Sequence, residues 1–168
     1  MKNAFEKKMS QHDVIVLNNA KIRFDSYEDH TFFMTAINQN MTSSIQAKGV
    51  ILATGRFQGG GLHASRKVIK ETIFNLPVFQ PEERSLWCDL NFFNPDGHAI
   101  NQAGIETNEM FQPMDKKTDS QYEHLYAAGS TLAHNDWVRL KSGSGVSCVS
   151  AVSAVEHFHD AIKGRHHV

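Results

Sequence analysis

The stretch His124-Leu-Tyr-Ala-Ala-Gly-Ser130, followed after a loop carrying Asp136 by Lys141-Ser-Gly-Ser-Gly-Val-Ser-Cys148, decides how this chain is read. Residues 124–128 form a short apolar run closed by Gly129, the pattern of a buried strand that stops at a glycine. Beyond the loop, Val146, Val149, Val152 and Val155 recur every three residues, with Ala151, Ala154 and Phe158 beside them. This periodicity predicts a helix packed along that stripe. Its first turn is suited to an anion: Ser142 or Ser144 can cap it, Gly143 and Gly145 admit a ligand to the backbone, and the helix dipole is positive there. As a dinucleotide fingerprint, Gly143-x-Gly145 fails on context. The strand lies about a dozen residues upstream, and no acidic residue follows at about twenty.

Working outward, the composition sets bounds. A chain of 168 residues suits a single domain, 1–168, with a buried core. Seventeen basic against eighteen acidic residues leave a net charge of −1, which gives no electrostatic case for nucleic acid. No apolar run is long enough to span a bilayer. Cys88 and Cys148 are too few for a disulfide framework, and the first residues carry no apolar signal core, so a reducing cytoplasmic setting is expected. His166 and His167 read as a frayed tail and His157-x-His159 as imidazoles on different helix faces, so no metal site is expected.

Taken in order, residues 2–10 place Ala4, Phe5 and Met9 on one side of a short helix that another element should cover. Residues 13–17, 20–24 and 30–38 are β-rich runs separated by Asn18-Asn19 and Asp25-Ser26, which predicts a small antiparallel meander. Residues 45–54 lead through Val50-Ile-Leu-Ala53 to Gly55 and read as one strand buried on both faces. The run Gly59-Gly60-Gly61 follows; three glycines are costly to order unless the backbone needs close approach or positive φ. Leu62, Ser65, Val68, Ile69 and Ile73 then fit a helix. Residues 78–112, with Pro81 and Pro95, are irregular and read as a surface excursion or a partner-facing cover, with a short strand candidate at 103–108. A polar turn is expected over 115–121. The sum is an α+β fold.

Four motifs in order carry a family resemblance: Val50-Ile-Leu-Ala-Thr-Gly-Arg-Phe-Gln-Gly-Gly-Gly-Leu62, Gly104-Ile-Glu-Thr-Asn108, His124-Leu-Tyr-Ala-Ala-Gly-Ser130, and Gly143-Ser-Gly-Val-Ser147 before an Ala/Val helix. Together they resemble the C-terminal half of FAD-dependent oxidoreductases of the fumarate reductase and succinate dehydrogenase flavoprotein type. The region Ile73-Phe-Asn-Leu-Pro-Val78 is similar to one subunit family of the anaerobic glycerol-3-phosphate dehydrogenases. The resemblance covers nearly the whole chain.

It implies an FAD site, with FMN as the other flavin to consider. Thr54 and Gly55 would border the nucleotide half, Gly129 and Ser130 the ribityl and phosphate portion, and Gly143, Ser144, Gly145 and Val146 the isoalloxazine ring. Partial positive charge at that helix entrance would stabilise the anion formed on reduction. The implied activity is dehydrogenation of a small hydroxylated substrate such as glycerol 3-phosphate; a scaffold or subunit-contact domain retaining the architecture is the alternative.

The chain departs from this family in two respects. Nothing before residue 50 reads as Gly-x-Gly-x-x-Gly after a strand, so the N-terminal Rossmann unit is expected to be missing, and the chain to be a fragment or split subunit. The isolated chain is then expected to be inactive and to lose its flavin. It should pair with the N-terminal flavin-binding half or another subunit, and should self-associate through exposed strand edges. The inner membrane face would be reached only through other subunits. Second, the loop 131–141 carries bulky Trp137, which restricts access to a ring. In that loop His134 and Asp136 are candidates for an acid/base pair, and Arg139 with Lys141 for holding a phosphate or carboxylate; His134 and Arg139 are the candidate catalytic residues.

Overall fold

The computed structural model describes residues 2–39, 41–115 and 122–164. It is an α+β fold built from a three-stranded meander, a two-stranded parallel pair, a small hairpin and a C-terminal helix. Helix α1 spans Lys2–Ser10, but Phe5 is exposed and no element covers it. The expected strand at 13–17 does not form. Val14, Ile15, Val16 and Leu17 run without strand pairing and are exposed, because β-propensity cannot hold a strand that has no neighbouring edge to bond.

The meander consists of β1 (Lys21–Glu28), β2 (Thr31–Asn38) and β3 (Met41–Ala47), antiparallel in that order. A two-residue turn, Asp29-His30, with φ of 46° and 58°, joins the first two strands, matching the hairpin turn that twisted strands favour. A bulge between Phe24 and Ser26 resets the register. Phe24 then faces Met34, and Tyr27 faces Phe32, on one side of the sheet. Without the extra residue these two aromatics, three apart, would point to opposite faces. The apolar face packs on Phe74 and Tyr122, with ring centroids 4.8 Å (Phe24–Phe74) and 5.6 Å (Phe24–Tyr122) apart.

The strand expected over 45–54 is two strands in two sheets. β3 ends at Ala47, and β4 (Val50–Leu52) begins after Lys48-Gly49. Gly49 lies under Phe158: a Cβ there would stand 2.2 Å from the ring, so any other residue would have to displace it. β4 pairs in parallel with β7 (Leu125–Ala127), every residue of which is buried.

The helix expected over 62–73 is instead the hairpin of β5 (Leu62–Ala64) and β6 (Ile69–Glu71). Ser65 decides the turn. Its Oγ accepts from the N–H groups of Lys67 (3.2 Å) and Val68 (3.1 Å), offering those donors a partner outside a helix. Gln80 bonds both the N–H and the C=O of Ile69, mimicking a third strand. Buried Glu71 then accepts from Ile73 (2.7 Å), Phe74 (2.7 Å) and Leu76 (3.3 Å), fixing the bend that sends Phe74 and Leu76 into the core.

Residues 78–112 are largely irregular, with 3-10 turns at Arg84–Leu86 and Ala99–Gln102. Trp87 is buried with Leu62, Ile69 and Ala103 in a second core. Residues 103–108 make isolated bridges, Gly104 with Phe79 and Ile105 with Leu132.

Two helices complete the order: the single turn α2 (Trp137–Leu140) and the 22-residue α3 (Gly143–Gly164). The valine stripe of α3 does not face inward. Val149, Val152 and Val155 are exposed, whereas Ser150 and Ala154 are buried. The packed face is the line of small residues Ser147, Ser150 and Ala154, which lets the helix lie close against β7 and the turn after it, extended by Phe158, whose ring packs on Tyr126. Among the described residues no helix is long and apolar enough to cross a membrane. The polar turn expected at 115–121, apart from Asp115, and His166-His167 lie outside the described residues.

Candidate functional site

Parallel pairing makes β4 and β7 end side by side, Leu52 opposite Ala127. Each strand then turns at a glycine in the left-handed region, Gly55 at φ 70° and Gly129 at φ 79°. Such ends of parallel strands are where α/β folds receive ligands. The two turns touch: a Cβ on Gly55 would lie 3.3 Å from Ser130 Oγ. The second turn is fastened to α3, since Gly129 N–H donates to Ser150 Oγ at 2.8 Å, and a Cβ on Gly129 would meet Ser147 Oγ at 3.6 Å. Ser147 Oγ in turn donates to the Gly143 carbonyl at 2.8 Å, so Thr54-Gly55, Gly129-Ser130 and the first two turns of α3 form one junction.

The triple glycine folds back onto the same junction. A Cβ on Gly59 would lie 2.2 Å from the Thr54 carbonyl oxygen, and one on Gly61 would lie 2.1 Å from that of Gly55. Behind the loop sits Arg56, which is buried and was not singled out by sequence reasoning. Its guanidinium donates to the carbonyls of Asn101, Leu132 (3.0 Å) and Asn135 (2.9 Å), tying together the loops that flank the junction. Burial lowers its pKa, and the nearby Asp136 carboxylate opposes that shift. The sequence signal was available only in retrospect: a charged residue inside a glycine turn that the surrounding loops close over.

Two clefts open beside the junction. One, of about 440 Å³, is bordered by Gly55, Arg56, Phe57, Asn101, Ser130 and Trp137. The other, of about 600 Å³, lies along the entrance of α3 between Phe111, Leu132, Lys141, Ser142, Gly145 and Val146. Gly143, Ser144 and Gly145 begin α3, so their N–H groups have no partner within the helix. A Cβ on Gly145 would meet nothing within 4 Å. Thr54 Oγ1 is buried without a protein partner. A long cofactor with phosphates and a flat ring fits these features: close backbone approach at Gly55, an open glycine at the helix entrance, dipole and unpaired donors for negative charge, and a spare hydroxyl.

A family model described as an FAD binding domain matches residues 2–146. The chain belongs to the FAD binding domain family. It is 27% identical to an anaerobic glycerol-3-phosphate dehydrogenase subunit of Vibrio vulnificus (strain CMCP6) over 157 residues, 93% of this chain and 35% of the relative. Over 112 residues it is 36% identical to the corresponding subunit of Aliivibrio fischeri (strain MJ11), 67% of this chain and 24% of that protein. A probable subunit of the same name from Halobacterium salinarum (strain ATCC 29341 / DSM 671 / R1) is 32% identical over 114 residues, 66% of this chain and 26% of the relative. The chain thus spans about a quarter to a third of the length of the relatives it matches. No solved structure matches. The cofactor of this family is FAD.

The loop 131–141 is arranged differently from the pairing that its sequence suggests. His134, with φ 61°, places Nε2 3.0 Å from Glu106 Oε1 and its ring 4.1 Å from that of Phe79. Asp136 is not its partner; it caps α2 by accepting from Arg139 N–H at 3.3 Å. Arg139 donates to the Asp96 carbonyl at 2.9 Å. Neither His134 nor Arg139 borders either of the two clefts, whereas Lys141 does. Ser142 donates to Asn135 Oδ1 (3.3 Å) rather than capping α3. Trp137 stands half exposed at the rim of the smaller cleft.

Proposed function

We propose that this chain is the C-terminal flavin-holding portion of an FAD-dependent oxidoreductase that dehydrogenates a small hydroxylated substrate. Glycerol 3-phosphate is the substrate favoured by the names of the relatives. The observation that carries the reading is the junction itself: three turns far apart in sequence meet at the ends of two parallel strands. In this reading Thr54 and Gly55 border the nucleotide half of FAD, Gly129 and Ser130 its ribityl and phosphate portion, and Gly143 to Val146 its ring. FAD, when bound, accepts a hydride equivalent from the substrate carbon that bears the hydroxyl.

The residues of the chain orient and neutralise. The α3 entrance supplies unpaired N–H groups and the positive end of the helix dipole to negative charge on the ring. Lys141, which borders the larger cleft, is the cation assigned to a substrate phosphate, because Arg139 holds the Asp96 carbonyl. His134, hydrogen-bonded to Glu106, borders neither cleft and is given no role toward the hydroxyl proton. An N-terminal Rossmann unit, supplied by the rest of the polypeptide or another subunit, completes the nucleotide half in this reading. The exposed Val149, Val152 and Val155 support a larger body around α3.

Two measurements test this. Titrating the isolated chain with FAD, followed by flavin fluorescence, should give an affinity in roughly the micromolar range, because part of the contact surface is absent. A folded chain that leaves FAD fluorescence unchanged up to about 1 mM, on the same affinity scale, overturns the reading. In the full-length protein, anaerobic addition of glycerol 3-phosphate should bleach the flavin. Bleaching by glycerol alone to the same extent would remove the assigned role of Lys141.

A further inference from the structure

The segment from Asp89 to His98 displays apolar side chains in a way that no feature of the flavin site explains. Leu90 is fully exposed, Phe92 is 79% exposed and Phe93 85%. A flexible excursion would let such groups fold back onto the surface. This loop is held open instead. Asp89, Asn91 and Asn94 each accept, through a side-chain oxygen, from the N–H two residues on, at 2.7, 3.1 and 2.8 Å. His98 staples the loop across its base: Nδ1 accepts from Asp89 N–H at 3.0 Å, and Nε2 lies 3.2 Å from the Phe92 carbonyl, to which it donates in that tautomer. Gly97, at φ 77°, lies so close to α2 that a Cβ would stand 2.6 Å from Arg139 Cδ, while Arg139 bonds the Asp96 carbonyl. The two phenylalanine rings pack edge to face at 5.1 Å.

We propose that residues 89–98 form a prebuilt docking loop for another protein subunit, one that presents an apolar pocket with a cationic rim. The notion of a multi-subunit assembly rests on the oxidoreductase reading; the construction of the loop does not. Ordering the loop before contact removes an entropic cost of association, which is the use of such rigid aromatic anchors. Two buried phenylalanines would cover on the order of 300–500 Å². Charge selects the occupant. The charged residues of the loop are Asp89 and Asp96, and it contains no lysine or arginine. One cation, Arg139, is bound to its base through the Asp96 carbonyl. An anionic membrane surface would repel these carboxylates, and so would a second copy docked through the same loop across a two-fold axis. A partner rim of lysine and arginine satisfies them.

The test uses the full-length protein with photoreactive benzoylphenylalanine in place of Phe93, purified together with its companion dehydrogenase subunits. The expected result is a crosslink that maps to one companion subunit, at a peptide combining apolar residues with lysine or arginine. Phe92→Ser with Phe93→Ser should weaken that association about a hundredfold or more, as loss of a central anchor does. Asp96→Lys, which leaves the loop's side-chain-to-backbone turns in place, should weaken it less, with a weaker salt dependence than the parent. All three positions are exposed, so melting temperature and FAD content should stay unchanged. A crosslink within the same polypeptide or to a second copy, binding to anionic vesicles with no subunit adduct, or unchanged subunit affinity in the double variant overturns the proposal. An adduct on the companion subunit in a protein without FAD would leave the docking loop standing and the oxidoreductase reading fallen.

Discussion

Two glycine groups meet near the same junction, and they are glycines for different reasons. Gly59 and Gly61 have no room: a Cβ on either would lie within 2.2 Å of a backbone carbonyl oxygen. Gly143 and Gly145 have room to spare, with a Cβ on the first 3.8 Å from Trp137 and on the second beyond 4 Å of anything. The first pair is dictated by packing, since any side chain collides with the chain itself. The second pair costs helix stability without a packing return. A glycine that the fold does not need, at a helix entrance bordering a cleft, is what the proposed flavin role would account for. The contrast separates residues that build the site from residues that serve it.

The largest effect should come from breaking the crowded pair. In Gly61→Ala the new methyl group meets Gly55 O at 2.1 Å and Thr54 Oγ1 at 2.3 Å. Backbone cannot yield cheaply there, so destabilisation of about 3 kcal/mol or more is expected. On a domain of this size that lowers Tm by roughly 6–12 °C, read by calorimetry. A melting point within a degree of the parent would show that the loop relaxes freely, and the contrast would dissolve. A smaller loss is expected from Arg56→Leu, which takes the guanidinium from the Asn101 and Leu132 carbonyls and leaves that of Asn135 only the Trp137 N–H. About 1–3 kcal/mol should be lost, as a shift in denaturant midpoint at constant slope. Arg56→Lys should recover little, because a single ammonium cannot span three carbonyls as the guanidinium does.

These residues also mark what the sequence could disclose. The meander from 21 onward, the strand ends at Gly55 and Gly129, and the glycine-led helix follow from local patterns, and the structure carries all of them. Where the reading failed, a tertiary partner had overridden a local period. Leu62, Val68, Ile69 and Ile73 fit a helix, but Ser65 and Gln80 supply hydrogen bonds that make a hairpin of the same residues. In α3 the spacing of valines is as regular as that of Ser147, Ser150, Ala154 and Phe158. Hydrophobicity favoured the wrong stripe, because close approach to the Gly129 turn selects small side chains and a hydroxyl that can accept its N–H. Arg56 and Glu71 could not be recognised as buried, since a charged residue discloses burial only when its partners, here backbone groups up to 79 positions away, are known.

The smallest effect on stability is expected at the open pair, and there the ligand should respond instead. Gly145 lies in the first turn of α3, and its φ is not in the left-handed region, so alanine fits the backbone without strain. Its methyl group enters empty space beside the larger cleft. Replacing glycine by alanine in a helix is worth up to about 1 kcal/mol in favour of the folded state, so the melting temperature of Gly145→Ala should hold or rise slightly. The same methyl group stands between the helix entrance and any ring that approaches its N–H groups, so FAD affinity should fall by about tenfold, equal to about 1.4 kcal/mol. Valine at this position should lose more affinity through its bulk, again without unfolding the chain. Gly61→Ala and Gly145→Ala then give opposite signatures, one in melting and one in flavin titration. If Gly145→Ala binds FAD as the parent does, the open glycine serves no ligand, and the assignment of α3 to the flavin ring falls with it.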